Sequence, residues 1–126
     1  MRNNESEEMY LETIYVLQKE LTEIRSVDIA RQLGYSKPSV CVAMKRLKEK
    51  EFITIDEQGV ITLTESGRKA AAGVYERHHL LTKFFMGIGA APGVAEENAC
   101  RIEHVISAEL LETMRTFMGR ETAACD

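Results

Sequence analysis

Between residues 26 and 63 the hydrophobic period changes from helical to alternating, and few folds accommodate that order. The stretch SVDIARQL (26–33) repeats apolar side chains at helical spacing and stops at Gly34, a residue suited to the left-handed position that follows a helix. Ser26 is its expected N-cap. Ser36 is expected to cap a second helix over 37–50, with Pro38 in the first turn, where a missing N–H costs nothing. Val40, Met44 and Leu47 then face inward. Two helices joined by three residues, one of them glycine, form a helix-turn-helix. The runs FITI (52–55) and VITL (60–63) flank Asp56-Glu57-Gln58-Gly59 and predict a β-hairpin. A hairpin directly after the second helix is a wing.

The remainder reads as helix. Ser6 is the expected N-cap of a first helix reaching residue 18, with Tyr10, Leu11, Ile14 and Leu17 on its apolar side and Met9 and Glu12 near its start. Thr64 is expected to cap a long helix extending to residue 85. Gly87, Gly89, Pro92 and Gly93 mark a loop. A helix over 94–106 follows, then one over 108–118 capped by Ser107, with residues 119–126 expected to fray. The expected fold class is mainly α, with a winged helix-turn-helix over 1–63 and a helical domain over 64–126.

A chain of 126 residues buries a core without disulfides or structural metal. Its three cysteines, Cys41, Cys100 and Cys125, are widely spaced and form no CxxC pair, which argues against a disulfide framework. With no long apolar run and an acidic, polar start, the chain is expected to be cytoplasmic, with no membrane partner. The net charge of −4 conceals an asymmetry. Residues 25–50 carry Arg25, Arg31, Lys37, Lys45, Arg46, Lys48 and Lys50 against Asp28 and Glu49, whereas residues 94–126 are predominantly acidic. A basic segment within an acidic chain predicts a local anion-binding surface.

That surface coincides with the helix-turn-helix, so double-stranded DNA is the expected partner. Ser36, Lys37, Pro38, Ser39 and Val42 are expected at base edges, and Arg25, Arg31, Lys45 and Arg46 nearer phosphate. Pro38 and Val42 are apolar and suit thymine methyl groups. A winged helix also serves as a protein-interaction module.

A second element lies at Cys100, Glu103 and His104, spaced i, i+3 and i+4. On a helix these place a thiol, a carboxylate and an imidazole on one face, all donors for a first-row transition metal. Met9 and His78 are further donors, although a methionine or a lone histidine more often serves packing. Two other readings compete. One is a metal-independent winged-helix regulator of the multiple-antibiotic-resistance type, using the apolar C-terminal helices for dimerisation and a small-molecule pocket. The other is a small metalloenzyme, for which the sequence offers no general base and which leaves the helix-turn-helix unexplained.

The segment ENACRIEHVIS (97–107) resembles the metal-binding helix of the iron- and manganese-dependent repressors, the DtxR/MntR family. EMYLETIY (8–15) resembles that family's first helix, LTESG (63–67) its junction between wing and long helix, and RHHLL (77–81) its histidine-bearing helix. The resemblance runs in order over nearly the whole chain. It implies a homodimeric repressor with an N-terminal DNA-binding domain and a helical dimerisation and metal domain, repressing metal-uptake genes when metal is replete. It also implies that the thioether-type site of the iron branch falls on Met9, Cys100, Glu103 and His104. The manganese branch has Asp at the position of Met9 and Glu at that of Cys100, while Glu12, His78 and Glu103 match its other ligands. Whether Glu12 and His78 complete the first site or build a second is open. The iron branch's second site pairs the His78 position with a carboxylate and another His, and here those positions hold Thr82 and Glu96. The length resembles that of the two-domain manganese branch, so the SH3-like domain of the iron branch is not expected. Thioether and thiolate donors favour Fe(II) over the harder Mn(II), with Co(II), Ni(II) and Zn(II) also suited.

Overall fold

The computed structural model describes the backbone of residues 2–125 and the side chains of residues 6–120. The chain runs α1 (Arg2–Leu17), α2 (Ser26–Leu33), α3 (Lys37–Glu49), β1 (Ile53–Ile55), β2 (Ile61–Leu63), α4 (Glu65–Gly87), α5 (Pro92–Ile102) and α6 (Ala108–Cys125). It divides into two compact units, Met1–Gly73 and Val74–Asp126, with the division falling inside α4. Among the described residues, no helix is long and apolar enough to cross a membrane.

The first unit is a winged helix-turn-helix. Ser36 caps α3 by accepting the Ser39 N–H at 3.3 Å, and Pro38 sits in the first turn. Val40, Met44 and Leu47 are buried on one side of α3, as their spacing predicts. They meet Tyr10, Leu11, Ile14 and Leu17 from α1, Ile29 from α2, and Ile53 and Ile61 from the hairpin. The strands pair antiparallel, Ile53 with Leu63 and Ile55 with Ile61. Asp56 shapes the turn by accepting the N–H groups of Gln58 and Val60, both at 2.9 Å, and Gly59 supplies the positive φ. Thr64 accepts the Gly67 N–H at 3.1 Å and so caps α4. An unforeseen ion pair lies inside this unit: Lys50 Nζ, just past α3, is 2.5 Å from Oε1 of the buried Glu7 on α1. A carboxylate this deep needs such a partner to offset its lost hydration.

In the second unit Leu81, Ala99, Leu111 and Met114 form the core, with Phe84, Phe85, Ile102 and Ile106 packed against it. Ala95 and Ala99, one turn apart, are fully buried.

Four local expectations are corrected. Ser6 does not cap α1, which already begins at Arg2, so Met9 and Glu12 are mid-helix positions rather than positions near its start. Ser26 is the first residue of α2, and Arg25 is its N-cap, with the Arg25 N–H donating to Asp28 Oδ2 at 2.8 Å. A carboxylate at the third helical position thus takes over the capping assigned to the serine hydroxyl. Helix α5 starts at Pro92 instead of residue 94 and stops at Ile102 instead of 106. Proline is preorganised for a first helical position, so the Pro-Gly pair taken for loop opens the helix. Helix α6 continues past residue 118 to Cys125; the side chains beyond residue 120, including that of Cys125, lie outside the described residues.

Candidate metal centre and nucleic-acid interface

In the second unit, the end of α5 delivers a carboxylate into the protein interior. Glu103 is the C-cap of α5, its N–H donating to Ala99 O at 2.9 Å, and its side chain is 1% exposed. Two imidazoles meet it. Nδ1 of His78, on α4, lies 2.7 Å from Oε2, and Nε2 of His104 lies 3.2 Å from Oε1. The other ring nitrogen of His78 faces Glu96 Oε1 at 4.0 Å. His78, Glu96, Glu97, Cys100 and Arg101 line an open cleft beside this cluster.

Of the residues singled out by sequence, this unit therefore brings His78, Glu103 and His104 into one cluster and sets Cys100 on the adjoining cleft. The expected common face of Cys100, Glu103 and His104 is divided by burial: Cys100 is exposed, Glu103 fully buried and His104 half-buried. The helix ends between the first and second of them, so His104 belongs to the turn after α5. Thr82 is not placed as a ligand, since its hydroxyl donates to the His78 carbonyl at 2.8 Å. Glu96 joins this surround without having been expected as a ligand; its signal in the sequence is its position one turn before Cys100.

Met9 and Glu12 belong to α1 of the first unit. Met9 is half-buried against the core, and its sulfur accepts the Tyr35 hydroxyl at 3.7 Å. Glu12 is half-buried in a shallow groove with Thr13, Val16, Gln32 and Leu33.

The chemistry of the second unit's cluster fits a divalent cation. A carboxylate withdrawn from water is stable only when hydrogen-bonded or paired with positive charge. Glu103 is supported here by imidazoles, which are themselves metal donors, and a thiol lines the neighbouring cleft.

The DNA-facing candidates lie in the first unit. Ser36, Lys37, Pro38, Ser39, Val42, Lys45 and Arg46 are all exposed. Pro38, Val42 and Lys45 sit on the side of α3 opposite its buried stripe. The hydroxyls of Ser36 and Ser39 are 2.9 Å apart and bonded to each other. Arg25 is half-buried and donates from Nε to the Gln58 carbonyl at 3.2 Å, which ties it to the wing turn.

Comparison with known proteins agrees with both halves. Residues 4–60 match the iron dependent repressor N-terminal DNA binding domain, and residues 64–124 match the iron dependent repressor metal binding and dimerisation domain. The transcriptional regulator MntR of Escherichia coli is 35% identical over 114 residues, which are 90% of this chain and 74% of that protein. The diphtheria toxin repressor of Corynebacterium diphtheriae is 33% identical over 105 residues, 82% of this chain and 46% of that protein. A solved manganese-dependent transcriptional repressor in complex with manganese superimposes with a TM-score of 0.81 at 27% identity, covering 90% of this chain and 52% of that one. The chain thus spans about half the length of that structure and of the toxin repressor. With its two domain types in order and this level of identity over most of its length, the chain belongs to the DtxR/MntR family of metal-dependent, DNA-binding transcriptional repressors.

Proposed function

We propose that the chain acts as a homodimeric repressor that binds double-stranded operator DNA when loaded with a divalent metal, Fe(II) being preferred, and so shuts down metal-uptake genes. The observation that carries the metal dependence is Glu103, a buried carboxylate held between the imidazoles of His78 and His104. The proposed ligand set is Met9, Glu12, His78, Cys100, Glu103 and His104. When bound, the cation supplies positive charge and a cross-link among its donors. Glu103 contributes the buried charge, the two histidines hold its oxygens in place, and Lys45 and Arg46 engage phosphate. Metal loading changes DNA affinity only by as much as the metal prefers the DNA-competent state.

The choice of Fe(II) rests on the sulfur donors Met9 and Cys100, which are soft. A manganese reading draws on Glu12 and Glu103, whose oxygens suit a harder ion, and on the likeness to MntR. The test is anaerobic. A duplex pool enriched from random DNA by the metal-loaded protein is titrated with protein in Fe(II), Mn(II), Co(II) or Zn(II), and in chelator. Binding with Fe(II) at lower metal concentration than with Mn(II) is expected. Activation by Mn(II) alone refutes the metal assignment. Binding indifferent to chelator refutes metal dependence and returns the metal-independent regulator to favour.

A further inference from the structure

We infer that Tyr35 is a positioning residue for the Met9 thioether and links that sulfur to the start of the recognition helix α3. The inference rests on the proposed role of Met9 as a metal ligand.

Tyr35 occupies the turn of the helix-turn-helix, and its backbone has little freedom. Gly34 adopts the left-handed conformation at φ 72°, and the N–H groups of Gly34 and Tyr35 both donate to Ala30 O, at 2.8 and 3.1 Å. The end of α2 therefore aims the tyrosine side chain. It reaches back to α1 and meets two consecutive residues. Its ring packs edge-on against Tyr10, with centroids 6.3 Å apart at 71°, and its hydroxyl donates to Met9 Sδ at 3.7 Å. The next residue along the chain, Ser36, is the N-cap of α3. One side chain thus joins the sulfur on α1 to the residue that begins the DNA-facing helix, all inside the first unit.

The chemistry suits a ligand held ready. Methionine has three rotatable bonds, so an unanchored thioether loses much rotamer freedom when it is fixed on a metal. A thioether sulfur also has two lone pairs. A hydroxyl on one fixes the side chain and leaves the other for a soft cation. Ordering the ligand beforehand lowers the entropy lost on binding. The ring contact with Tyr10 supplies packing by itself; Tyr35 is 45% exposed, and its hydroxyl is nonetheless turned onto Met9 Sδ.

The test uses the full chain, reduced and under anaerobic conditions, with Co(II) as the probe, in four forms: unmodified, Tyr35→Phe, Met9→Leu and the double variant. Phenylalanine keeps the ring contact and removes only the hydrogen bond. Calorimetric titration is expected to show Co(II) binding about three- to tenfold weaker in Tyr35→Phe, the range of one lost hydrogen bond. The double variant is expected to match Met9→Leu alone, because a residue acting through Met9 has nothing left to position. In metal-free protein, the ε-methyl carbon resonance of Met9 is expected to move in Tyr35→Phe while the far-ultraviolet circular dichroism stays the same. Unchanged Co(II) affinity in Tyr35→Phe beside a clear loss in Met9→Leu overturns the inference and leaves Met9 as a ligand. Additive losses overturn it too. No loss in Met9→Leu removes Met9 from the ligand set, and the inference with it.

Discussion

Nδ1 of His78 lies 2.7 Å from Oε2 of Glu103, a carboxylate whose side chain is 1% exposed. A contact this short to a buried acid fixes both side chains and leaves the other oxygen to His104, at 3.2 Å. If the cluster holds a metal, the charge of Glu103 is its main contribution. Glu103→Gln preserves shape, removes that charge and replaces one acceptor oxygen by an amide donor. In the unmodified protein, metal at about one hundred times its Kd should raise stability by about 2.7 kcal/mol. Less than about half of that gain is expected in Glu103→Gln, read as the shift in thermal midpoint on adding Co(II). An undiminished shift would place the metal elsewhere.

Gly67 is required by a close backbone approach. A Cβ built there lies 1.9 Å from the Phe52 carbonyl oxygen and 2.8 Å from its carbon. That carbonyl also accepts the Thr64 N–H at 2.9 Å, so it has no easy direction in which to yield. Gly67→Ala is expected to destabilise the winged-helix unit by more than about 3 kcal/mol. Gly73, on the same helix, has nothing within 4 Å of a built Cβ. There alanine only removes unfolded-state freedom and is expected to stabilise by about 0.5–1 kcal/mol. Urea midpoints at constant slope separate the two.

The contrast between α3 and α5 explains what could be read in advance. In α3 a serine cap, a proline in the first turn and an apolar stripe all agree, and the helix was legible to within a residue or two. In α5 the signals conflict: Pro92 and Gly93 resemble loop, and the end at Ile102 carries no glycine or proline. The capping of α2 was misread because Ser26, the usual type of cap, falls at the first helical position, while Asp28 at the third accepts the N–H of Arg25. In the candidate site, the donor types were legible from short spacings. The pairing of His78 with Glu103 was not, because 25 residues separate them and only tertiary packing brings them together. The link from Tyr35 to Met9 was hidden for the same reason.

Val42 is 59% exposed and lies one turn from Pro38, on the side of α3 facing away from the core. Helix α3 contains no Asn or Gln, the usual bidentate readers of adenine. With the hydroxyls of Ser36 and Ser39 bonded to each other, Val42 is expected to read thymine through its methyl group. Replacing thymine by deoxyuridine at that position of the selected duplex should cost the unmodified protein about 1 kcal/mol and the Val42→Ala protein almost nothing. Lys45→Ala should instead weaken binding to all sequences alike and lower the salt slope by about one. Fluorescence anisotropy over a salt series distinguishes these behaviours. Equal deoxyuridine penalties in both proteins would rule out Val42 as the reader.

Cys100 is exposed on the cleft shared with His78 and Glu96, so a larger side chain can be accommodated there without disturbing the core. Its thiolate is the softest donor proposed for the metal, whereas a carboxylate favours a harder ion. Cys100→Glu is therefore expected to move the ratio of Mn(II) to Fe(II) affinity towards Mn(II) by about tenfold, or ~1.4 kcal/mol. Fold and thermal midpoint without metal should stay close to those of the unmodified chain, because an exposed position rarely changes stability by more than about 0.5 kcal/mol. Parallel anaerobic titrations with the two metals, read by DNA binding, give the ratio directly. A second consequence concerns oxidation, since a thiol must be reduced to bind metal. Brief peroxide treatment of the metal-free protein, with peroxide removed before metal is added, should weaken metal-dependent DNA binding more in the unmodified protein than in Cys100→Glu. An unchanged metal ratio in Cys100→Glu would mean that the thiol does not set the preference, leaving the choice to Met9 and the carboxylates.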